Sequence, residues 1–153
     1  MLNEVFGTCD AITRKFHGDI DKFVGDALVA VFDDAVDAAL DIQRTMTGLN
    51  RERRQRGEAD VLLRVGLNSG TVIQGEIGTS ERKDLTVIGD VVNTASRIEG
   101  FCAPGAVRMS EATFLPPGRG PRCAARAAAP RAAQGEAVGG GGLRAEEGLT
   151  HTP

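Results

Sequence analysis

Two short strand-like segments, residues 19–24 and 27–32, are joined by nothing but Gly25-Asp26. A connection of two residues forces an antiparallel hairpin, and glycine supplies the backbone conformation that such a turn demands. The surrounding periodicity follows from this anchor. Upstream, Leu2, Val5, Phe6, Cys9, Ile12 and Phe16 recur close to every 3.6 residues, which predicts a helix over residues 2–17 that Gly18 stops. Downstream, Asp33 or Asp34 caps a long helix running to about Arg56. Its inward stripe is Ala35, Ala39, Ile42, Met46 and Leu49, widened by Val36 and Leu40, and Gly57 ends it. Residues 62–68 alternate as a strand, Ser69-Gly70 turns the chain, and residues 71–77 return. After a polar loop, residues 84–88 form another strand. Asp90 caps a helix to about Phe101, Pro104-Gly105 turns, and residues 106–109 make a last strand before a closing turn at Ser110, Glu111 and Phe114. The expected class is α+β, an antiparallel sheet covered by helices on one face.

Composition divides the chain at Leu115. The preceding part is well mixed. Residues 115–153 contain no Ile, Phe, Lys, Asp or Asn and are rich in Ala, Arg, Gly and Pro. So little apolar surface does not offset the ordering entropy of that length, so residues 115–153 read as a low-complexity disordered tail. A flexible linker and a shifted reading frame in GC-rich coding DNA both give this composition. A net charge of −3 offers no global basic field for nucleic acid. Three cysteines without a CxxC pair or a Cys/His cluster suit a reducing cytosol, and no apolar run reaches the ~18 residues of a membrane span. The expected location is cytoplasmic.

The chemistry concentrates in two segments. Lys22-Phe23-Val24-Gly25-Asp26 sets a cation and a carboxylate around the hairpin turn. Gly89-Asp90-Val91-Val92-Asn93-Thr94-Ala95-Ser96-Arg97 opens a helix with Asn93 and Arg97 one turn apart on one face, opposite Val91, Ala95, Ile98 and Cys102. Taken alone, Asp26 is a turn carboxylate and Asn93/Arg97 a solvated helix face. In this order and at this separation, however, the two segments resemble the catalytic domain of the class III adenylate and guanylate cyclases, which convert a nucleoside triphosphate into a cyclic nucleotide and pyrophosphate. The resemblance covers residues 1–114.

That resemblance implies a ferredoxin-like βαββαβ core. It also implies that the family's first strand, which carries a Phe-x-Asp-Ile-x-Gly-Phe-Thr motif and lies centrally in the sheet, is missing here, leaving two neighbouring strands with unpaired backbone. By resemblance Asp26 is one of two metal-binding aspartates for two Mg²⁺ or Mn²⁺, the other belonging to the missing strand. Asn93 orients the ribose and Arg97 contacts the α-phosphate. Lys22 and Thr86 read the purine, a pair suited to ATP rather than GTP. The family's sites form across a head-to-tail homodimer or a pairing with another cyclase domain. The lysine that usually holds the terminal phosphates has no counterpart, because the tail contains no Lys. The alternative is a non-catalytic cyclase-like fragment or regulatory dimerisation partner. The run Arg51, Arg53, Arg54 and Arg56 reads as a solvated helix end complementing the dipole rather than a phosphate site.

Overall fold

A computed structural model describes residues 1–78, 83–114 and 123–128 of the chain. The elements are α1 (Leu2–Lys15), β1 (Asp19–Val24), β2 (Ala27–Phe32), α2 (Val36–Gln55), β3 (Arg64–Ser69), β4 (Ile73–Gly78), β5 (Lys83–Ile88), α3 (Asp90–Gly100), β6 (Val107–Met109), α4 (Glu111–Phe114) and β7 (Cys123–Ala128). The β1–β2 hairpin forms as its turn residues require, with Gly25 at φ +62°. The main sheet has the order β1-β2-β7-β3-β6, antiparallel throughout except for the parallel β3–β6 pair. β4 and β5 form a separate two-stranded arm.

The centre of the sheet departs from expectation. Cys123–Ala128, part of the tail read as disordered, lies antiparallel between β2 and β3, with Arg126 opposite both Val29 and Gly66. The two strands expected to carry unpaired backbone are therefore both paired. The remainder of that tail expectation, residues 115–122 and 129–153, lies outside the described residues, as does the loop 79–82. β7 has few strand-forming side chains, but a strand flanked on both sides satisfies its backbone donors and acceptors whatever its side chains are.

Side-chain alternation assigns the two faces. Val65 and Leu67 of β3, Leu28, Ala30 and Phe32 of β2, and Ala125 and Ala127 of β7 join Val5, Cys9 and Ile12 of α1 and Ala39, Ile42 and Met46 of α2 in one core. Residues 64, 66 and 68 point the other way, towards α3. A Cβ on Gly66 would lie 2.5 Å from both the Ala95 carbonyl oxygen and the Glu99 nitrogen, so the α3 backbone rests directly on this strand. Helices thus cover both faces rather than one. Glu99, only 4% exposed, sits in this interface. Its carboxylate lies 2.8 Å from Arg64 Nε, out of line for a hydrogen bond, and 3.8 Å from Arg126 Nε. The ion pairs offset part of the cost of burying that charge. On the opposite face the alanines of β7 leave an apolar cavity of about 10 Å³ beside Thr13, Leu28, Ile42 and Val65, too small to hold a water comfortably.

Local differences have local causes. Residues 62–63 were expected in the strand, but β3 begins at Arg64 because side chains of α2 occupy the preceding backbone. The buried Asn50 amide donates to the Val61 carbonyl (2.9 Å) and accepts from the Val61 N–H (2.8 Å), while Gln43 Nε2 donates to the Leu63 and Ala106 carbonyls, each at 3.0 Å. β4 does not return along β3, whose two edges are taken by β6 and β7; it pairs with β5 instead. The chain turns out of α1 at His17, whose φ is +56°, and the Gly18 N–H bonds to the Thr13 carbonyl (2.9 Å), a helix-closing pattern. Gly18 itself is required because any Cβ there would run into the Phe32 ring. Ala35 rather than Asp33 or Asp34 holds the N-cap position of α2, although Asp34 Oδ1 accepts from the Val36 N–H at 3.1 Å, and Gly89 rather than Asp90 holds that of α3. Leu40 remains 39% exposed, outside the buried stripe.

Two outcomes follow from this packing. Gly66→Ala forces a methyl group into the α3 backbone and is expected to cost about 3 kcal/mol of stability, read from the urea midpoint. Burial pushes the Cys9 thiol from 9.0 up to about 12. In the folded chain at pH 8 Cys9 should resist alkylation, and mass spectrometry should find it modified only after denaturation. A thiol whose pKa is raised by folding stabilises the fold below its unfolded value, so this contribution declines as pH climbs from about 9 towards 12.

Candidate functional site

The β1–β2 hairpin, the β4–β5 arm and α3 carry the five candidate residues. Lys22 stands on β1 and Thr86 on β5, 64 positions apart, and the fold brings them together: Lys22 Nζ donates to Thr86 Oγ1 at 2.7 Å. Asn93 and Arg97 lie one turn apart on the exposed face of α3, while Ala95 and Cys102 are buried and Val91 and Ile98 half-buried on the other. Asp26 is half-buried at the tip of the β1–β2 hairpin. Among the described residues, no hydrogen bond or ion pair links Asp26 to the other four.

The Lys22–Thr86 pair depends on a residue that the sequence reading passed over. The register of β1 against β2 slips between Ile20 and Lys22, making Asp21 the extra residue of a β-bulge. Bulges re-aim a side chain, and this one sends the Asp21 carboxylate to the arm. Its side chain is only 2% exposed. It accepts from the Val87 N–H at 2.8 Å and from the Thr86 hydroxyl at 3.2 Å, and it lies 3.1 Å from Lys22 Nζ. One carboxylate therefore ties the arm to the sheet edge and holds both members of the pair. A carboxylate directly before Lys22, in a strand of otherwise alternating pattern, was the available signal; the bulge that gives it meaning is not visible from composition or period. Beside Lys22 an open groove of about 440 Å³ runs between α1 and β1, walled by Phe6, Asp10, Ile20 and Phe23.

Three of the four arginines at the end of α2 take part in ion pairs. Arg53 is 5% exposed; its Nη1 lies 2.7 Å from Glu58 and 3.1 Å from Glu4, and its Nε donates to the Ala59 carbonyl. Arg54 pairs with Asp60 and Arg56 with Glu58, and these hydrogen bonds hold both carboxyls below their usual range. Arg53 is thus buried rather than solvated, while Arg51, Arg54 and Arg56 remain exposed as expected.

Among the described residues no group of three or more His, Cys, Asp or Glu side chains converges. Asp26 supplies a single carboxylate, and that donor set does not fit a site for two divalent cations.

Similarity to known proteins gives this geometry its context. Residues 1–116 match the adenylate and guanylate cyclase catalytic domain. The chain is 44% identical over 109 residues to the adenylate cyclase of Anabaena cylindrica, covering 65% of this chain and 22% of that protein. It is 31% identical over 111 residues to adenylate cyclase 1 of Rhizobium meliloti, covering 66% and 17%. Its fold is similar to the crystal structure of the adenylyl cyclase CyaB from P. aeruginosa, with a TM-score of 0.69 and 27% identity over 88% of this chain and 83% of that one. The guanylate cyclase domain of RhGC from Catenaria anguillulae gives a TM-score of 0.63 with 28% identity, over 84% and 81%. The chain belongs to the adenylate and guanylate cyclase catalytic domain family, a family of nucleotide cyclases. It spans about a fifth of the length of the two curated relatives. Among the described residues no helix is long and apolar enough to cross a membrane.

Proposed function

We propose that this chain is part of an adenylate cyclase, a phosphorus–oxygen lyase that converts ATP to cyclic AMP and pyrophosphate. The observation that carries the reading is the 2.7 Å contact between Lys22 and Thr86, which presents a polar pair for the edge of a purine; Asn93 and Arg97 stand exposed on α3. In the reaction the ribose 3′-oxygen attacks the α-phosphorus, and the bond from that phosphorus to the pyrophosphate oxygen breaks. Lys22 and Thr86 hold the base, and Asn93 fixes the ribose so that the 3′-oxygen is aimed. The planar guanidinium of Arg97 donates to the α-phosphate as its charge is redistributed. The site is read as forming between two chains arranged head to tail, with Asp26 of one facing the other four residues across the interface. Cyclase catalytic domains act with divalent cations. The lone carboxylate of Asp26 would need partners from elsewhere to hold them.

That same lone carboxylate favours a second reading, a non-catalytic partner that pairs with a complete cyclase domain and contributes Lys22, Thr86, Asn93 and Arg97 to a shared site. One assay separates the two: cyclic AMP formation from ATP with Mn²⁺, by the chain alone and mixed with an intact cyclase domain. Activity of the chain alone supports the first reading, and stimulation only in the mixture supports the second. A folded chain inactive in both settings overturns catalysis by this polypeptide. Where activity is found, Arg97→Ala is expected to lower kcat about 10²-fold with a smaller change in KM.

A further inference from the structure

The Asp21 carboxylate does more than anchor the arm, because it decides which way the Thr86 hydroxyl points. A threonine hydroxyl has one proton to give and two lone pairs to accept with, and left alone it rotates to suit its neighbour. Here the proton is spent: Thr86 Oγ1 donates to Asp21 Oδ2 at 3.2 Å. A carboxylate oxygen can only accept, so the direction of that bond is fixed. One lone pair is also spent, accepting from Lys22 Nζ at 2.7 Å. Of the three ammonium protons of Lys22, one goes to Thr86 and one faces Asp21 at 3.1 Å. What remains outward is one acceptor on Thr86 and one donor on Lys22.

We propose that Asp21 is a positioning residue that sets base selectivity, locking the Thr86 hydroxyl as an acceptor so that the pair accepts adenine and refuses guanine. The inference rests on the reading that Lys22 and Thr86 contact the base. Adenine presents an amine donor at position 6 and a lone pair at N1, which complement a Thr86 acceptor and a Lys22 donor. Guanine presents an oxygen at position 6 and an N–H at N1, wrong at both points in the same pose. A threonine free to rotate would turn its proton towards that oxygen and relieve half of the mismatch. Asp21 prevents the rotation, and its burial, 2% exposed with the Val87 N–H fixed on its other oxygen at 2.8 Å, prevents its own side chain from yielding.

Asp21→Asn reverses the polarity at nearly constant shape. The amide oxygen still accepts from Val87, but the amide nitrogen now donates to Thr86, so both threonine lone pairs are taken and the proton turns outward. The experiment measures equilibrium binding of ribose-labelled fluorescent ATP and GTP to the full chain with Mn²⁺, for the wild type, Asp21→Asn and Thr86→Val. The wild type is expected to favour ATP by about 10-fold or more, the usual consequence of a mispaired polar contact. Asp21→Asn should narrow the ratio to about 3-fold, chiefly by tighter GTP binding. A gain for the disfavoured nucleotide is not what structural damage produces. Thr86→Val should also erode the preference. If it does not, or if the wild type binds neither nucleotide, the base reading itself fails and the proposal with it. If Thr86→Val changes the ratio while a well-folded Asp21→Asn keeps the wild-type value, the base reading stands and the polarity lock is overturned. Should Asp21→Asn fail to fold, the wild type is tested with the triphosphates of purine riboside and inosine. Binding in the order ATP, purine riboside, inosine supports a fixed acceptor at position 6, and inosine binding equal to ATP overturns it.

Discussion

Backbone pairing on both sides of β7 is the constraint on which the sheet depends. β2 and β3 bring the two halves of the domain together, the hairpin with α1 on one side and β3 with β6 and α3 on the other, yet they share no ladder of their own. Six residues between them complete both ladders. Without those residues each neighbour would carry a row of unsatisfied backbone groups into a buried interior, at a cost per group comparable to a lost hydrogen bond. The alanines contribute little burial of their own, and the small cavity beside Ala125 and Ala127 records the shortfall. Main-chain hydrogen bonding, rather than side-chain packing, is what holds the centre.

From that sheet the site follows in sequence. The hairpin presents Lys22 on an edge strand, the bulge at Asp21 reaches across to β5, and α3, seated on Gly66, presents Asn93 and Arg97. Each step has a steric or polar reason at a single residue. Gly66 lets the helix backbone touch the strand, Asp21 joins arm to edge, and Asn50 and Gln43 peg the segment leading into β3 onto α2.

How much of this was legible in the sequence depended on whether side-chain pattern or backbone pairing decided the outcome. α1, α2 and α3 were readable because their buried stripes recur at helical spacing, and the β1–β2 hairpin because its turn admits one geometry. Lys22, Thr86, Asn93, Arg97 and Asp26 were singled out by resemblance alone, and the fold brings the first two into contact. β7 was not readable, since four alanines, a cysteine and a single arginine carry no strand signal and the strand exists only because two others need it. The partner of β4 was missed because Ser69-Gly70 has the composition of a hairpin turn, although β3 has no free edge to offer. Asp21 was missed because a bulge is a relation between two strands, and the carboxylate before Lys22 has no meaning until both are paired. Arg53 read as solvent-facing because an arginine at a helix end usually is, until Glu4, far away in sequence, encloses it.

The late position of β7 in the chain has a consequence for biosynthesis. Its partners, residues 27–32 and 64–69, leave the ribosome well before Cys123–Ala128 does. Protein synthesis adds about 5–20 residues per second, so β2 and β3 spend several seconds as open edges, a template for pairing with any neighbouring nascent strand. The domain closes only when nearly the last of its described residues has emerged. Its most hazardous moment therefore comes during synthesis, while both edges stand open, and a chaperone that shields strand edges would protect it then.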